Sequence, residues 1–244
     1  MADEVAAINI HTEPMAIGDE VGGEFFFNFS RCTQIEVAHA ASVCERTVND
    51  WYNFCREVIL HHIEHSSTPI GGPGKIVEID EAKFGKRKYN RGRYIEGVWV
   101  FGGFERDSKK TFMVPVPDRS RETLVAQIRK WILPGTKIIS DCWAAYSQLQ
   151  LEGYTHETVN HSKNFVDPET GASTQNIERC WRDARADVPK YGRREDSFVK
   201  YLANHLFRRK YPKYEARFHV FMRAVANLYP PPVSPAEHEF DDSQ

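Results

Sequence analysis

Gly72-Pro-Gly-Lys-Ile-Val-Glu-Ile-Asp80-Glu81 is the segment from which the rest of the chain can be read. Behind the Gly/Pro turn, Lys75 to Ile79 is a short β-branched run, which predicts a strand ending on Asp80. A lone Asp at a strand end is most simply a turn or cap residue. The alternative is a carboxylate that holds a metal ion, and that requires further acids brought to the same place by the fold.

Downstream of Asp80, Lys83 to Arg93 interleaves six basic residues with Phe84, Tyr89 and two glycines. Such a run is either a solvated hairpin loop or a contact for nucleic-acid phosphates, with Lys83, Lys86, Arg87, Lys88, Arg91 and Arg93 as the contact residues. Residues 94–105 and 111–116 predict two more strands, with Asp107-Ser-Lys109 as the turn between them. Arg121 to Trp131 is an amphipathic helix that stops before Pro134-Gly135. Lys137-Ile-Ile-Ser-Asp141 is a second short apolar strand that ends on an Asp. A helix over 143–151, closed by Gly153, and a short strand over 158–160 follow. After a polar loop at 161–173 come helices over 174–188, with Thr174 or Ser173 as N-cap, then 196–210 and 214–228. Three consecutive strands followed by alternating helices and strands predict an α/β fold with a mixed sheet.

Upstream, apolar residues spaced by three and four between Cys32 and His65 predict two helices broken near 42–47, with Thr47 as a candidate cap for the second. This segment, 25–65, is open to two readings: a helix-turn-helix or an ordinary helical hairpin. His61 and His65 lie one turn apart, but the order does not fit a zinc helix and the pair reads as a solvated face. Residues 66–74 read as a linker, 72–190 as the α/β domain, and 191–229 as basic helices packed upon it.

Charge sharpens the picture. Residues 1–24 hold six acids and 232–244 hold four, neither with any Lys or Arg. With those ten acids set aside, the net charge of −2 becomes about +8 for the middle of the chain. Disordered acidic tails (1–24 and 230–244) on a basic body suggest a polyanionic partner. Five scattered cysteines, none in a C-x-x-C pair, exclude a disulfide framework or zinc ribbon and predict reduced thiols. No apolar run reaches membrane-span length and no secretory signal is evident, so no membrane partner is expected.

Strands ending on Asp80 and Asp141 can lie side by side in one sheet, and Glu178 sits in the helix predicted over 174–188. Hard divalent cations prefer oxygen ligands, and Mg²⁺ uses few carboxylates while keeping waters. Three acids from two strands and a helix suit a pair of such ions about 3.5–4 Å apart, the arrangement used for in-line phosphoryl transfer. The order of elements is that of the acidic triad in the ribonuclease H-like fold. Arg185, seven residues after Glu178, lies two turns along the same helix face. It is either a solvated arginine or a phosphate contact near the acids.

Six segments together resemble one family. They are 72–81 above, Lys83-Phe-Gly-Lys-Arg-Lys-Tyr-Asn-Arg-Gly92, Ile95-Glu-Gly-Val-Trp-Val-Phe-Gly-Gly103, Pro134-Gly-Thr-Lys-Ile-Ile-Ser-Asp-Cys-Trp-Ala-Ala-Tyr146, Thr158-Val-Asn-His-Ser162 and Thr174-Gln-Asn-Ile-Glu-Arg-Cys-Trp181. In order and content they resemble the DDE transposases of the Merlin superfamily and related bacterial insertion-sequence transposases. The resemblance implies that Asp80, Asp141 and Glu178 are the catalytic and metal-binding acids, with Mg²⁺ or Mn²⁺ as cofactor. It further implies cut-and-paste chemistry on transposon ends and target DNA, by a homo-oligomer on DNA, in the nucleus of a eukaryote or otherwise in the cytoplasm. Some relatives use a non-acidic third ligand, which makes Asn176 a rival to Glu178; a carboxylate is the better Mg²⁺ ligand. Relatives often carry a Cys-rich zinc region before the helices, and its absence here keeps open a host-retained, inactive DNA-binding protein.

Overall fold

The computed structural model describes residues 34–85, 97–159, 172–189 and 195–230. Both acidic tails, the loop at 161–171 and the basic residues Lys86, Arg87, Lys88, Arg91 and Arg93 lie outside them. The chain divides into two compact units, residues 1–52 and 53–244.

In the first unit, helix α1 (Gln34–Ala40) is followed by a turn and the start of helix α2 (Glu45–Ser66). Ser42, at φ 53°, makes the break foreseen near 42–47. Val37 and Ala38 pack on Val48 and Tyr52. Thr47 is not the cap expected of it: α2 already begins at Glu45, and the Thr47 hydroxyl lies 3.2 Å from Cys44 Sγ inside the first turn.

The second unit is built on a five-stranded sheet in the order β4-β3-β2-β6-β7. Strands β2 (Ile76–Phe84), β3 (Val98–Glu105) and β4 (Thr111–Val116) form an antiparallel meander. Strand β6 (Lys137–Asp141) then pairs parallel with β2, and β7 (Thr155–Val159) parallel with β6. This mixed sheet is the ribonuclease H-like arrangement that the element order predicts. A two-residue parallel ladder, β1 (Ile70–Gly71) with β5 (Ile132–Leu133), adds structure to the segment expected to be a plain linker.

Alternation along β2 sends successive side chains to opposite faces. Val77 and Ile79 pack with Phe101, Ile138 and the buried side of helix α3 (Arg121–Trp131), namely Leu124, Val125 and Ile128. Ala82 and Phe84 face the other way, onto Ile177, Cys180, Trp181 and Ala184 of helix α4 (Gln175–Asp187) and onto Phe198 and Leu202 of helix α5 (Glu195–Lys210). A last helix, α6, spans Tyr214–Leu228. Among the described residues no helix is long and apolar enough to cross a membrane.

Two expectations change in detail. The helix expected over 143–151 is instead two 3₁₀ turns, Ala144–Tyr146 and Leu149–Glu152. The buried anchors of this stretch, Tyr146 and Leu149, are three residues apart, the spacing that a 3₁₀ turn stacks on one side. Asp80 is also not at the tip of its strand, because β2 continues to Phe84 in ladder with β3. What ends near Asp80 is the pairing with β6, whose last matched pair is Glu78 with Ile139.

Candidate active site

That parallel register, continued by two residues, brings Asp80 level with Asp141, the final residue of β6. One side of β2 loses its partner there, so two carboxylates stand at a notch in the sheet. Asp141 is fixed by its own chain, its Oδ1 accepting the Trp143 backbone N–H at 3.0 Å. Asp80 Oδ2 accepts the Trp181 indole N–H at 2.9 Å, from helix α4. Gly102 is the residue opposite Asp80 on β3, and a Cβ there would come within 2.6 Å of the Trp181 ring. Glycine is therefore what lets the indole reach the acid.

Glu178 is exposed in the first turn of α4, where its Oε1 accepts the Thr174 hydroxyl at 3.2 Å. Its charge reaches the notch. Burial pushes the Asp80 carboxyl up to about 6, the bonds from the Glu81 backbone and Trp181 pull against that, and the charges of Asp141 and Glu178 push it further up. The structure thus brings the three sequence-derived acids into one electrostatic neighbourhood. Among the described residues, no three His, Cys, Asp or Glu side chains are gathered tightly enough to hold an ion as they stand. An oxygen-only donor set suits a hard divalent ion better than a soft one.

Helix α4 is aimed by a residue that sequence reasoning passed over. Glu78, two positions before Asp80 and on the same face, is 0% exposed. Its carboxylate accepts the backbone N–H groups of Asn176 (3.0 Å) and Ile177 (3.2 Å), the Asn176 side-chain amide (2.8 Å) and Arg106 Nε (2.7 Å). Arg106, in the β3–β4 turn, also donates to the Ser173 carbonyl at 2.9 Å. The N-terminus of α4 is therefore capped from a neighbouring strand, a favourable site for negative charge. Thr174, which with Ser173 was the expected cap, does stand at the N-cap position, but its side chain makes no cap hydrogen bond. Asn176, the rival third ligand, is engaged with Glu78 through its backbone N–H and its side-chain amide. The signal available in the sequence was a charged residue in the middle of an apolar strand run.

Glu81 is the other unforeseen acid. Its side chain is 2% exposed, and among the described residues its Oε1 has no hydrogen-bond partner. Burial, then the charges of Asp80 and Asp141, push its carboxyl up to about 8, against the pull of Arg119 3.8 Å away.

Two of the expected DNA contacts, Lys83 and Arg185, lie within the described residues. Lys83, also on β2, holds its Nζ 5.4 Å from the centre of the Trp99 ring. Arg185 is exposed on α4 with its guanidinium carbon 5.4 Å from the Phe84 ring centre.

Residues 59–210 match the ISXO2-like transposase domain. The chain belongs to this transposase family. A transposase-like protein of Haemophilus influenzae, itself uncharacterized, is 28% identical over 94 residues, 38% of this chain and 75% of that protein. Among solved structures, the catalytic core domain of BIV integrase aligns with 63% of this chain and 97% of its own, at 15% identity and a TM-score of 0.39. A simian T-cell lymphotropic virus intasome in complex with the PP2A regulatory subunit B56 gamma aligns with 87% of this chain and 76% of that one, at 14% identity and a TM-score of 0.39.

Proposed function

We propose that this transposase cleaves DNA at the ends of a mobile element and transfers the freed ends to target DNA, with Asp80, Asp141 and Glu178 as a metal-binding catalytic triad. One observation supports the reading: the parallel register of β2 and β6 brings Asp80 level with Asp141, and the charges of Asp141 and of Glu178 on α4 both raise the Asp80 carboxyl. Clustering like charges is unfavourable unless a cation or a proton joins them. Asp80 and Asp141, from adjacent strands, would hold Mg²⁺ or Mn²⁺ from the sheet, and Glu178 would close on it from the exposed turn of α4. When bound, such an ion supplies Lewis acidity and an activated water at neutral pH.

In cleavage, a water oxygen bonds to the scissile phosphorus as the bond to the 3′ oxygen breaks, leaving a 3′-hydroxyl and a 5′-phosphate. In transfer, that 3′-hydroxyl attacks a target phosphodiester and the displaced strand leaves with its own 3′-hydroxyl. Trp181 orients Asp80 for this work, and the Trp143 N–H orients Asp141. Lys83, Arg185 and the basic run Lys86, Arg87, Lys88, Arg91 and Arg93 would hold the DNA backbone.

The test is Asp141→Asn on a duplex bearing the element ends. Asn keeps the oxygen that accepts the Trp143 N–H, so folding and DNA binding should survive. Cleavage with Mg²⁺ or Mn²⁺ should fall on the order of 10³-fold, about 4 kcal/mol of barrier. A variant that cuts normally would remove Asp141 from the site. Wild-type protein that binds ends but cuts with neither ion would identify a DNA-binding protein descended from a transposase.

A further inference from the structure

We infer that Arg119, which lies against both Trp99 and Trp143, is a contact for a DNA phosphate at the edge of the acidic notch; this rests on the transposase reading above. The residue lies at the entry to α3, where Ser120 caps the helix and Asp118 Oδ1 accepts the Ser120 N–H at 2.8 Å. Its guanidinium carbon is 4.2 Å from the centre of the Trp99 ring and 4.4 Å from that of Trp143. Cation–π contact with two indoles steadies a guanidinium without using its N–H donors, and that donor fork matches a phosphate.

Among the described residues the Arg119 guanidinium donates no hydrogen bond, and its one acidic neighbour, Glu81, is 3.8 Å away, too far for one. The side chain is 33% exposed. An arginine whose purpose was to neutralise Glu81 would be expected to close on it in a fork-to-carboxylate pair; here the two indoles hold it off.

The clamp is also tied to the site. Trp143 follows Asp141 by two residues, gives its backbone N–H to that carboxylate, and directs its indole N–H at the Arg119 carbonyl 3.4 Å away. Trp99 stands opposite Lys83 on the neighbouring strand and carries the Lys83 ammonium as well. Two cations and an indole that is 39% exposed therefore flank the notch on the face opposite α4. Cations beside an exposed aromatic ring are what a nucleic-acid strand uses, for its phosphates and its bases.

The experiment measures binding of a fluorescein-labelled duplex of random sequence across a KCl series, with Ca²⁺ at fixed concentration to neutralise the acids. Each phosphate contact contributes about 0.9 to the slope of log affinity against log salt. Arg119→Gln should flatten the slope by about that amount and weaken binding at low salt. An unchanged slope in a variant that melts like wild type overturns the inference. Should Arg119→Gln fail to fold, tryptophan emission decides: DNA should quench wild type more than Trp143→Phe, and equal quenching overturns the proposal. Wild-type protein with no salt-dependent binding would instead defeat the transposase reading itself, and the clamp with it.

Discussion

Glu81 sits beside Asp80 with a buried carboxyl lifted to about 8 by desolvation and by Asp80 and Asp141. In an unfolded chain a Glu titrates near 4.3, roughly. The folded value is the higher one, so the stability linked to this group is fully present below the unfolded value and is lost as pH rises through 8. Asp80, lifted to about 6, acts in the same direction over a lower window. Glu81→Gln removes the titration and keeps the volume, while every other titrating group is common to both proteins. Without metal, the variant should therefore melt above wild type at pH 8 and converge with it towards about pH 4. Calorimetry at several pH values checks this, and a constant offset would show that Arg119 offsets the burial of the charge after all. A carboxylate that destabilises the apo fold is the kind of strain that functional sites retain.

At the scale of elements, the site depends on how α4 is held against β2, and Glu78 is the joint. Its four donors come from the β3–β4 turn and from the first turn of α4. Glu78→Gln leaves Arg106 without its counter-charge and turns an amide N–H towards other donors. Removing one member of a buried pair typically costs about 3–5 kcal/mol; Arg106 is partly exposed, so the lower end is expected. Urea unfolding gives that number, and amide exchange should speed first in the opening turn of α4. Loss spread evenly over the sheet would argue against a local joint. The strands and helices themselves were legible, because β-branched runs, Gly/Pro punctuation and amphipathic spacing are local signals. The placing of Asp80 and Asp141 on strands and of Glu178 on a helix was legible for the same reason, each standing in or beside such a run. Glu78, Arg106, Gly102 and Arg119 were not, because their roles come from pairing across the sheet. That Asp80 lies opposite Gly102, and that Trp181 fills the space a side chain would take, is fixed only by the register of β2 on β3. The 3₁₀ turns after Asp141 escaped for a related reason: burial of Tyr146 and Leu149 overrides the propensity of Ala144, Ala145 and the glutamines for α-helix.

At the scale of the whole chain, the charge is divided by position: six acids in residues 1–24, four in 232–244, and about +8 between them. A basic body attracts DNA by releasing counterions from the phosphates. Acids carried on the same chain would compete with those phosphates for the same lysines and arginines, an interaction confined to roughly 10 Å at 0.1 M salt and shorter above it. Deleting 1–24 together with 232–244 should therefore tighten binding to random-sequence duplex at low salt, with the advantage shrinking as salt rises and vanishing near 1 M, where the screening length is about 3 Å. The variant should also show the steeper slope of log affinity against log salt, because more cations are then available to phosphate. Substituting Ala for Lys86, Arg87 and Lys88 in the same truncated chain should remove part of that gain, since this run supplies three of the positive charges in question. Fluorescence anisotropy over a salt series reads all of these. Truncation that leaves low-salt affinity unchanged would mean the tails do not reach the basic surface, and the acid-rich ends would need another explanation.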